Sequence, residues 1–303
     1  MGRPRLLITD LDNTLYDWVT FFALAFDAMV EGLVDVLEVD REQLLDEFKV
    51  VHERLGSSEH PYATFELPSV RERFPGASGS ELAEALDLPL HRFNSARKSH
   101  LQLYPGVRET LEALDRAGIP VVGHTEAALP NAWYRLERLG IAAQFKHLYV
   151  LEGSPVHHPY PDRIRSNLTP DGVVRVVPRP ERKPNPGLLL DICRREGVLP
   201  AEAVYVGDSL SRDITMAHDA GVVAVWARYG VQYDPRLWAI LVRVTHWTPE
   251  DVEREKAIGQ RKAEPDAIID KFSEILPLFE GDGLAAPRPA TEFDARQAAI
   301  NET

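Results

Sequence analysis

At 303 residues the chain is long enough to bury a full hydrophobic core and to carry a second, smaller domain. Its net charge of -13 argues against binding to nucleic acid or to an anionic membrane, because phosphate groups would be repelled. The single cysteine, Cys193, excludes an internal disulfide and favours a cytoplasmic protein, and neither a signal peptide nor an apolar run of membrane-spanning length is visible.

The first predicted strand, residues 5–10, contains an apolar run, Leu6 to Ile8, that is typical of a buried strand. The stretch 17–102 then lacks any alternation of strands and helices, and its apolar residues recur at helical spacing around a loop-rich part, 56–79. We therefore expect an α-helical insert after the first strand. Its predicted helices are 18–37, 40–55, a short helix capped by Ser80, and 91–102.

An alternation of helices and strands resumes at Tyr104 and predicts an α/β core. The predicted strands are 119–123, 147–151, 203–206 and 222–227; the predicted helices are 107–117, 131–139, one opening at 183–186, 249–260 and 265–279. Residues 281–303 are expected to be disordered because they are rich in Gly, Ala, Pro and polar residues. The expected fold class is α/β, with a doubly wound parallel sheet and an α-helical cap.

Residues 152–182, which we call the flap segment, interrupt the alternation with several prolines and a surplus of arginine. Asp171-Gly172 ahead of an apolar run, 173–177, predicts a hairpin. The arginines form either a solvated surface or a contact for substrate phosphate or a partner. The expected domains are a core of 1–16 and 103–280, a cap of 17–102, the flap segment within the core, and the tail 281–303.

Polar side chains follow three of the predicted strands where each strand ends. They are Asp10 and Asp12, then Thr125, then Asp208, while Lys183 and Asp213 come from helix starts next to the sheet. Ligands of open α/β sheets bind at the carboxyl ends of the strands. Two carboxylates at about 4 Å repel by about 4 kcal/mol at an effective dielectric near 20. We therefore expect a divalent metal, a lysine, or both beside the two aspartates.

This set of residues is suited to phosphoryl transfer by an aspartate nucleophile. Asp10 would attack phosphorus, and Asp12 would protonate the leaving oxygen and later take a proton from water. Mg²⁺ prefers oxygen ligands, and the expected ones are Asp10, Asp208 and the backbone carbonyl of Asp12. Thr125 and Lys183 would bind the phosphoryl oxygens, Lys183 as a compact cation.

Taken together, these motifs resemble the haloacid dehalogenase superfamily over roughly residues 5–15 and 104–230. The resemblance implies a Rossmann-like core and a cap that closes over the site and selects the substrate. It implies the same roles for Asp10, Asp12, Thr125, Lys183 and Asp208, and it makes Asp213 a support for Lys183 and the metal site. Glu126 departs from the family pattern, where an asparagine commonly follows the threonine, and the flap segment is longer than compact members need.

Each residue also has a purely structural interpretation. Asp10 and Asp12 could form an ordinary turn, Thr125 could be a hydroxyl at a strand end, and Asp213 could be a carboxylate favoured by a helix dipole. The joint order of the motifs favours the catalytic interpretation over these.

The predicted function is that of a Mg²⁺-dependent phosphatase acting on a small phosphorylated metabolite. Asp12 distinguishes it from a dehalogenase, because a departing halide needs no proton. Two alternatives stay open: a phosphotransferase or mutase of the same fold, and a binding or regulatory protein without turnover. The sequence does not indicate the substrate or the oligomeric state.

Overall fold

The computed structural model describes residues 3–60, 62–153, 172–248 and 263–280, together with 250, 253 and 257. Seven parallel strands form one sheet in the order β4-β3-β2-β1-β5-β6-β7. The strands are β1 Leu6–Thr9, β2 Val121–Ala128, β3 Phe145–Leu151, β4 Val174–Val177, β5 Ala203–Gly207, β6 Val223–Ala227 and β7 Ala267–Ile269. The predicted α/β class is confirmed.

Helices follow most of the strands and make up the insert after β1. In the described part of the chain they are α1 Trp18–Leu37, α2 Arg41–Leu55, α3 Pro68–Arg73, α4 Gly79–Ala85, α5 Asp87–His100, α6 Val107–Arg116, α7 Leu129–Arg138, α8 Pro186–Glu196, α9 Thr215–Asp219, α10 Pro235–Arg243 and α11 Leu276–Glu280. Within the described ranges, no helix combines the length and the apolar character needed to cross a bilayer.

Strand β1 lies at the centre of the sheet and contributes to a core on each face. Successive side chains of a strand point to opposite faces. Leu7 belongs to the cluster that contains Leu111 of α6 and Leu136 of α7. Leu6 and Ile8 belong to the cluster that contains Ile192 of α8. Helices therefore cover both faces of the sheet, which explains why β1 is buried throughout and begins with three successive apolar residues rather than an alternating pattern.

Helices α1 to α5 form the predicted cap, which has an apolar core of its own that includes Phe26, Leu44 and Phe48. The cap follows β1 directly, and all its regular elements are helical in the described part of 17–102. The N-terminus of α1 is capped by Asp17, which accepts from Thr20 N at 2.9 Å. The predicted boundary residues 17 and 102 of the cap stay a proposal.

The start of helix α4 was predicted wrongly, and the last cap helix, predicted over 91–102, spans Asp87–His100 as α5. Helix α4 is capped by Ser78 rather than Ser80: Ser78 accepts from Glu81 N at 3.3 Å, and Glu81 accepts from Ser78 N at 2.7 Å. The reciprocal bond to Glu81 fixes the start of the helix two residues before the expected cap. The part expected to be rich in loops, 56–79, also contains a helical turn, Ala63–Glu66, and α3.

The predicted helix over 265–279 is partly wrong, because residues 267–269 form strand β7. Ala267–Ile269 pairs in parallel with the exposed edge of β6. Asp266 N donates to Ala224 O at 2.8 Å, and the Asp266 carboxylate accepts from Ala224 N at 2.8 Å. Helical structure begins only at Phe272. Pairing with the backbone of β6 therefore makes residues 267–269 a strand, although the sequence pattern of the segment predicts a helix.

The hairpin predicted in the flap segment is wrong for the described second half of the segment, 172–182. Strand β4 pairs in parallel with β3, as an edge strand of the core sheet. The rest of the segment, 154–171, lies outside the described residues, as do most of the predicted helix 249–260 and the tail 281–303.

Candidate functional site

The chain leaves the sheet for the cap through a turn that contains both predicted catalytic aspartates. Asp10 directly follows β1, and Asn13 adopts a left-handed backbone conformation with φ of 55°. Asparagine tolerates this region better than most residues. Its side-chain oxygen accepts from Trp18 N at 3.1 Å and Val19 N at 3.3 Å, at the start of α1. The turn therefore connects the position of the aspartates to the first cap helix.

Lys183 lies between two carboxylates in the interior of the site. Its Nζ donates to Asp10 Oδ1 at 2.5 Å and lies 2.9 Å from Asp213 Oδ1, and the side chain is only 4% exposed. Burial alone would lower the pKa of Lys183, but the charges of Asp10 and Asp213 outweigh burial and raise the pKa well above its usual value. Lys183 is therefore a buried ammonium group next to Asp10.

Asp213 is held in place by neighbours on three sides. Tyr205 donates its hydroxyl to Asp213 Oδ1 at 3.1 Å, and Ser209 N donates to Oδ2 at 3.1 Å. Gly207 leaves room for this carboxylate, because a Cβ at that position would collide with it. Asp213 therefore fixes Lys183 rather than facing the cavity freely, as the predicted supporting role requires.

Three carboxylates converge at the carboxyl ends of β1 and β5. Ligand oxygens of Asp10, Asp208 and Asp213 all lie within 4.8 Å of one another. Burial raises the pKa of Asp208 to about 7, with the charge of Asp213 acting in the same direction. Burial also raises the pKa of Asp10 well above its usual value, although Lys183 opposes the shift. One lysine thus faces three clustered carboxylates, and the surplus of hard oxygen donors fits a divalent cation such as Mg²⁺.

The loop after β6 approaches this cluster closely at Gly230. A Cβ there would collide with the backbone carbonyl of Asn13 and lie 2.8 Å from Asp208 Cβ. Trp226 of β6 also donates its indole N–H to Asp208 O at 2.8 Å. The position of Asp208 is therefore set by β6 and the loop that follows it, as well as by β5.

The Asp12 side chain lies apart from the carboxylate cluster and contacts a different cation. Arg135 Nη1 donates to Asp12 Oδ1 at 2.8 Å, and Thr125 Oγ1 donates to Asp12 Oδ2 at 3.4 Å. The Arg135 side chain is 4% exposed and also pairs with Glu59. Burial raises the pKa of Glu59, and the charge of Arg135 opposes that shift.

Arg135 and Glu59 were not predicted as site residues, although the sequence contains a signal for one of them. Arg135 falls on the same helical stripe as the buried residues Ala132, Leu136 and Leu139, where a charged residue needs a buried partner. Glu59 lies in the loop after α2, and no periodicity points to it. Trp18 of α1 donates its indole N–H to Glu59.

Glu126, the departure from the family pattern, connects three parts of the site. One carboxylate oxygen accepts from the backbone N–H of Lys183 at 3.1 Å, and the other accepts from Arg212 Nη1 at 3.2 Å. Strand β2 does not end at residue 123 as predicted; it continues to Ala128 with a shift of register against β3. This irregularity follows Thr125 and includes Glu126.

The structure brings all six predicted site residues to one cavity of about 490 Å³. Asp10, Asp12, Thr125, Lys183, Asp208 and Asp213 line it together with residues of the cap and of α10. The catalytic, phosphate-binding and metal-binding roles of these residues stay predictions. Acidic and basic side chains thus meet at the carboxyl ends of the strands of an α/β sheet, next to a helical cap.

A family model described as haloacid dehalogenase-like hydrolase matches residues 4–221. A second model, described as HAD-hydrolase-like, matches residues 181–275. The chain belongs to the haloacid dehalogenase-like hydrolase family, and the resemblance identified from its motifs is confirmed.

Named relatives agree with this assignment. The chain is 26% identical over 279 residues to a phosphoglycolate phosphatase of Nitrosococcus oceani, covering 92% of this chain and 98% of that protein. It is 29% identical over 233 residues to a glyceraldehyde 3-phosphate phosphatase of Methanopyrus kandleri, covering 76% and 86%. A solved structure of 2-haloacid dehalogenase from Pseudomonas syringae pv. Tomato DC3000 aligns with a TM-score of 0.52 and 21% identity, over 92% of this chain and 100% of that one. This last likeness concerns the fold alone.

Proposed function

We propose that the protein is a Mg²⁺-dependent phosphatase that hydrolyses a small phosphomonoester through an aspartyl-phosphate on Asp10. The reaction class is supported by the family and by relatives named as phosphatases. The observation that carries the proposal is the position of two aspartates in one cavity: Asp10 lies beside Lys183, and Asp12 lies beside Thr125. A second carboxylate beside the nucleophile is needed for proton transfer to an oxygen leaving group, but not for loss of a halide.

The clustered oxygens of Asp10 and Asp208, with the backbone carbonyl of Asp12, would hold Mg²⁺. Asp213 is a weaker candidate because its two oxygens already accept from Lys183, Tyr205 and Ser209. When bound, the ion offsets the negative charge of the phosphoryl oxygens and of the carboxylates around them.

In the first half-reaction, an oxygen of Asp10 attacks phosphorus and the bond from phosphorus to the leaving oxygen breaks. Asp12 gives its proton to that oxygen, so that a neutral alcohol departs. Lys183 and the hydroxyl of Thr125 contact phosphoryl oxygens and stabilise the charge that develops there. Asp10 now carries the phosphoryl group as a mixed anhydride.

In the second half-reaction, a water molecule attacks phosphorus and the bond from phosphorus to the Asp10 oxygen breaks. Asp12 accepts a proton from that water, which restores its acid form for the next cycle. The products are inorganic phosphate and free Asp10. A phosphotransferase would share the first half-reaction and use a second substrate in place of water.

The direct test is release of p-nitrophenol from p-nitrophenyl phosphate with and without Mg²⁺. We expect turnover that depends on the ion in the wild type, and a loss of at least about 10³-fold in kcat for Asp10→Asn, because the amide is not a nucleophile. Equal, negligible rates for the wild type and Asp10→Asn would contradict the proposal and favour a binding role. Phosphate transfer to an added alcohol in preference to water would instead indicate a phosphotransferase.

A further inference from the structure

Part of the cavity lining is apolar and comes from outside the family motifs. We call this set the apolar wall; it consists of Trp18 of α1, Trp238, Leu241 and Val242 of α10, and Trp247. Three of the five side chains are indoles. The segment from α10 to Trp247 lies between β6 and β7, so the core contributes to the wall alongside the cap.

The α10 part of the wall is packed against the cap. Val244 is fully buried in the apolar core of the cap, and its carbonyl accepts from His52 Nδ1 of α2 at 2.7 Å. Arg243 pairs with Asp46 of α2 at 2.6 Å. Trp238 stacks on Tyr233 with ring centroids 5.0 Å apart. These contacts place the wall at a defined position in the cavity.

The lysines and the arginine that line the cavity each lie beside a carboxylate. Among the described lining residues, Lys49 lies 3.2 Å from Glu53, Lys183 pairs with Asp10 and Asp213, and Arg212 lies 3.2 Å from Glu126. A second negative charge on the substrate would therefore compete with these carboxylates for the lysines and the arginine. It would also lie among carboxylates, which costs free energy.

We propose that the substrate of this site is a phosphomonoester whose leaving group is uncharged and contains a planar aromatic ring, which packs against the apolar wall. The inference rests on the proposed phosphatase function, because it concerns the group attached to the phosphoryl. A cavity of about 490 Å³ is in the range of pockets that enclose drug-sized ligands, and it has room beyond a phosphoryl group and a two-carbon chain. Indoles favour offset-stacked or edge-to-face contacts with other rings.

The kinetic test compares 1-naphthylmethyl phosphate with ethyl phosphate. Both release a primary alcohol, so a difference in kcat/KM reports on binding of the ring rather than on the reactivity of the leaving group. We expect the naphthylmethyl ester to have a kcat/KM about tenfold or more above that of ethyl phosphate, and above that of 2-phosphoglycolate, which carries a carboxylate. Equal values for the two esters, or a preference for 2-phosphoglycolate, would overturn the proposal.

Substitutions in the apolar wall test whether the aromatic ring binds there. Trp247→Leu should reduce the ratio of the two kcat/KM values about tenfold, whereas Trp247→Phe should retain most of it because a ring remains. Leu199→Ala, at a 68% exposed position ahead of the amino end of β5, serves as a control and should leave the ratio unchanged. A ratio that is the same in all four proteins would place the ring elsewhere and refute the wall as its binding site.

A binding measurement separates this inference from the proposed function. Calorimetric titration with 1-naphthylmethylphosphonate and ethylphosphonate, which cannot be hydrolysed, should give a Kd about tenfold lower for the first compound. Selective binding without turnover of any ester would reject the phosphatase function and support the apolar wall as the binding site of the aromatic ring. Turnover of both esters without selective binding would leave the function standing and reject the wall.

Discussion

Arg135 connects Asp12 to the cap because its guanidinium contacts carboxylates from both. Replacing Arg135 by methionine should leave Glu59 and Asp12 as partly buried anions without a cation. We expect the free energy of unfolding to fall by about 3 kcal/mol, and kcat to fall because Asp12 loses the contact that orients it. Urea unfolding and steady-state kinetics measure the two effects.

A double variant distinguishes the effect of Arg135 on protein stability from its effect on the orientation of Asp12. The variant that combines Arg135→Met with Glu59→Gln removes one of the two carboxylate charges left without a cation. It should therefore recover part of the lost free energy of unfolding while kcat stays low. Full recovery of kcat in the double variant would show that Arg135 acts only on stability and does not position Asp12.

Glu126 holds the backbone of Lys183 through a hydrogen bond. Substitution of Glu126 by glutamine and by alanine should therefore have different effects on kcat/KM. Glu126→Gln keeps an oxygen that can accept from Lys183 N–H, whereas Glu126→Ala removes it. We expect kcat/KM to fall about tenfold in the alanine variant and by less in the glutamine variant, because small displacements of a phosphate-binding group are costly. Equal losses would indicate that the ion pair with Arg212 matters more than the hydrogen bond.

At the level of elements, the contact between α2 and the end of α10 makes stability depend on pH. Burial lowers the pKa of His52 from about 6.5 to about 4, and His246 and His60 add to this effect, while the hydrogen bond to Val244 O opposes it. The unfolded chain binds a proton near pH 6.5, but the folded protein does so only near pH 4. The stabilisation is therefore complete above pH 6.5 and is lost as the pH falls through about 4.

The difference between the two pKa values of His52 corresponds to about 3 kcal/mol of unfolding free energy. We expect the wild type to lose up to this amount relative to His52→Asn between pH 7 and pH 4, measured by urea unfolding at each pH. The asparagine variant lacks the titrating ring and can still donate to Val244 O. Parallel pH profiles for the two proteins would contradict the assignment.

Helices whose apolar residues recur regularly in the sequence were predicted correctly, whereas strands whose extent depends on pairing with a neighbouring strand were not. Helices α1 and α2 have the expected extents within one residue, because their apolar stripes and caps lie in the local sequence. Strand β7 was missed because the free edge of β6, a feature of the tertiary structure, decides its conformation. Strand β2 continues past its predicted end for the same reason, since β3 supplies the pairing that extends it.

At the scale of the whole molecule, residues far apart in the sequence meet at one edge of the sheet. The order of the motifs predicted that Asp10, Lys183, Asp208 and Asp213 would converge, because parallel strands place their carboxyl ends together. The second ion pair, from Asp12 through Arg135 to the cap, depends on how the cap packs over the core. A pattern within a single helix or loop does not contain that information.

The carboxylate cluster connects the metal to the stability of the whole protein. Above pH 7, where Asp208 is mostly ionised, replacing it by asparagine should raise the melting temperature without Mg²⁺, because a negative charge is removed from a crowded carboxylate cluster. Mg²⁺ should raise the melting temperature of the wild type by mass action and have little effect on the variant. Calorimetry with and without the ion checks both; the same Mg²⁺ response in both proteins would exclude Asp208 as a ligand.

Asp12 should be needed for turnover but not for folding, because a loop carboxylate contributes little to the apolar core. Asp12→Ala is therefore expected to keep a cooperative unfolding transition and to lose turnover. Collapse of the fold, seen as loss of that transition, would contradict the role assigned to Asp12.

Asp10 itself is expected to carry the phosphoryl group during the reaction. The most direct measurement stops the reaction during turnover, reduces the protein with borohydride, which converts an aspartyl-phosphate into homoserine, and locates the change by peptide mass spectrometry. We expect homoserine at position 10 only when both phosphoester and Mg²⁺ are present. Turnover without modification at position 10, or with the phosphoryl group on another residue, would contradict it.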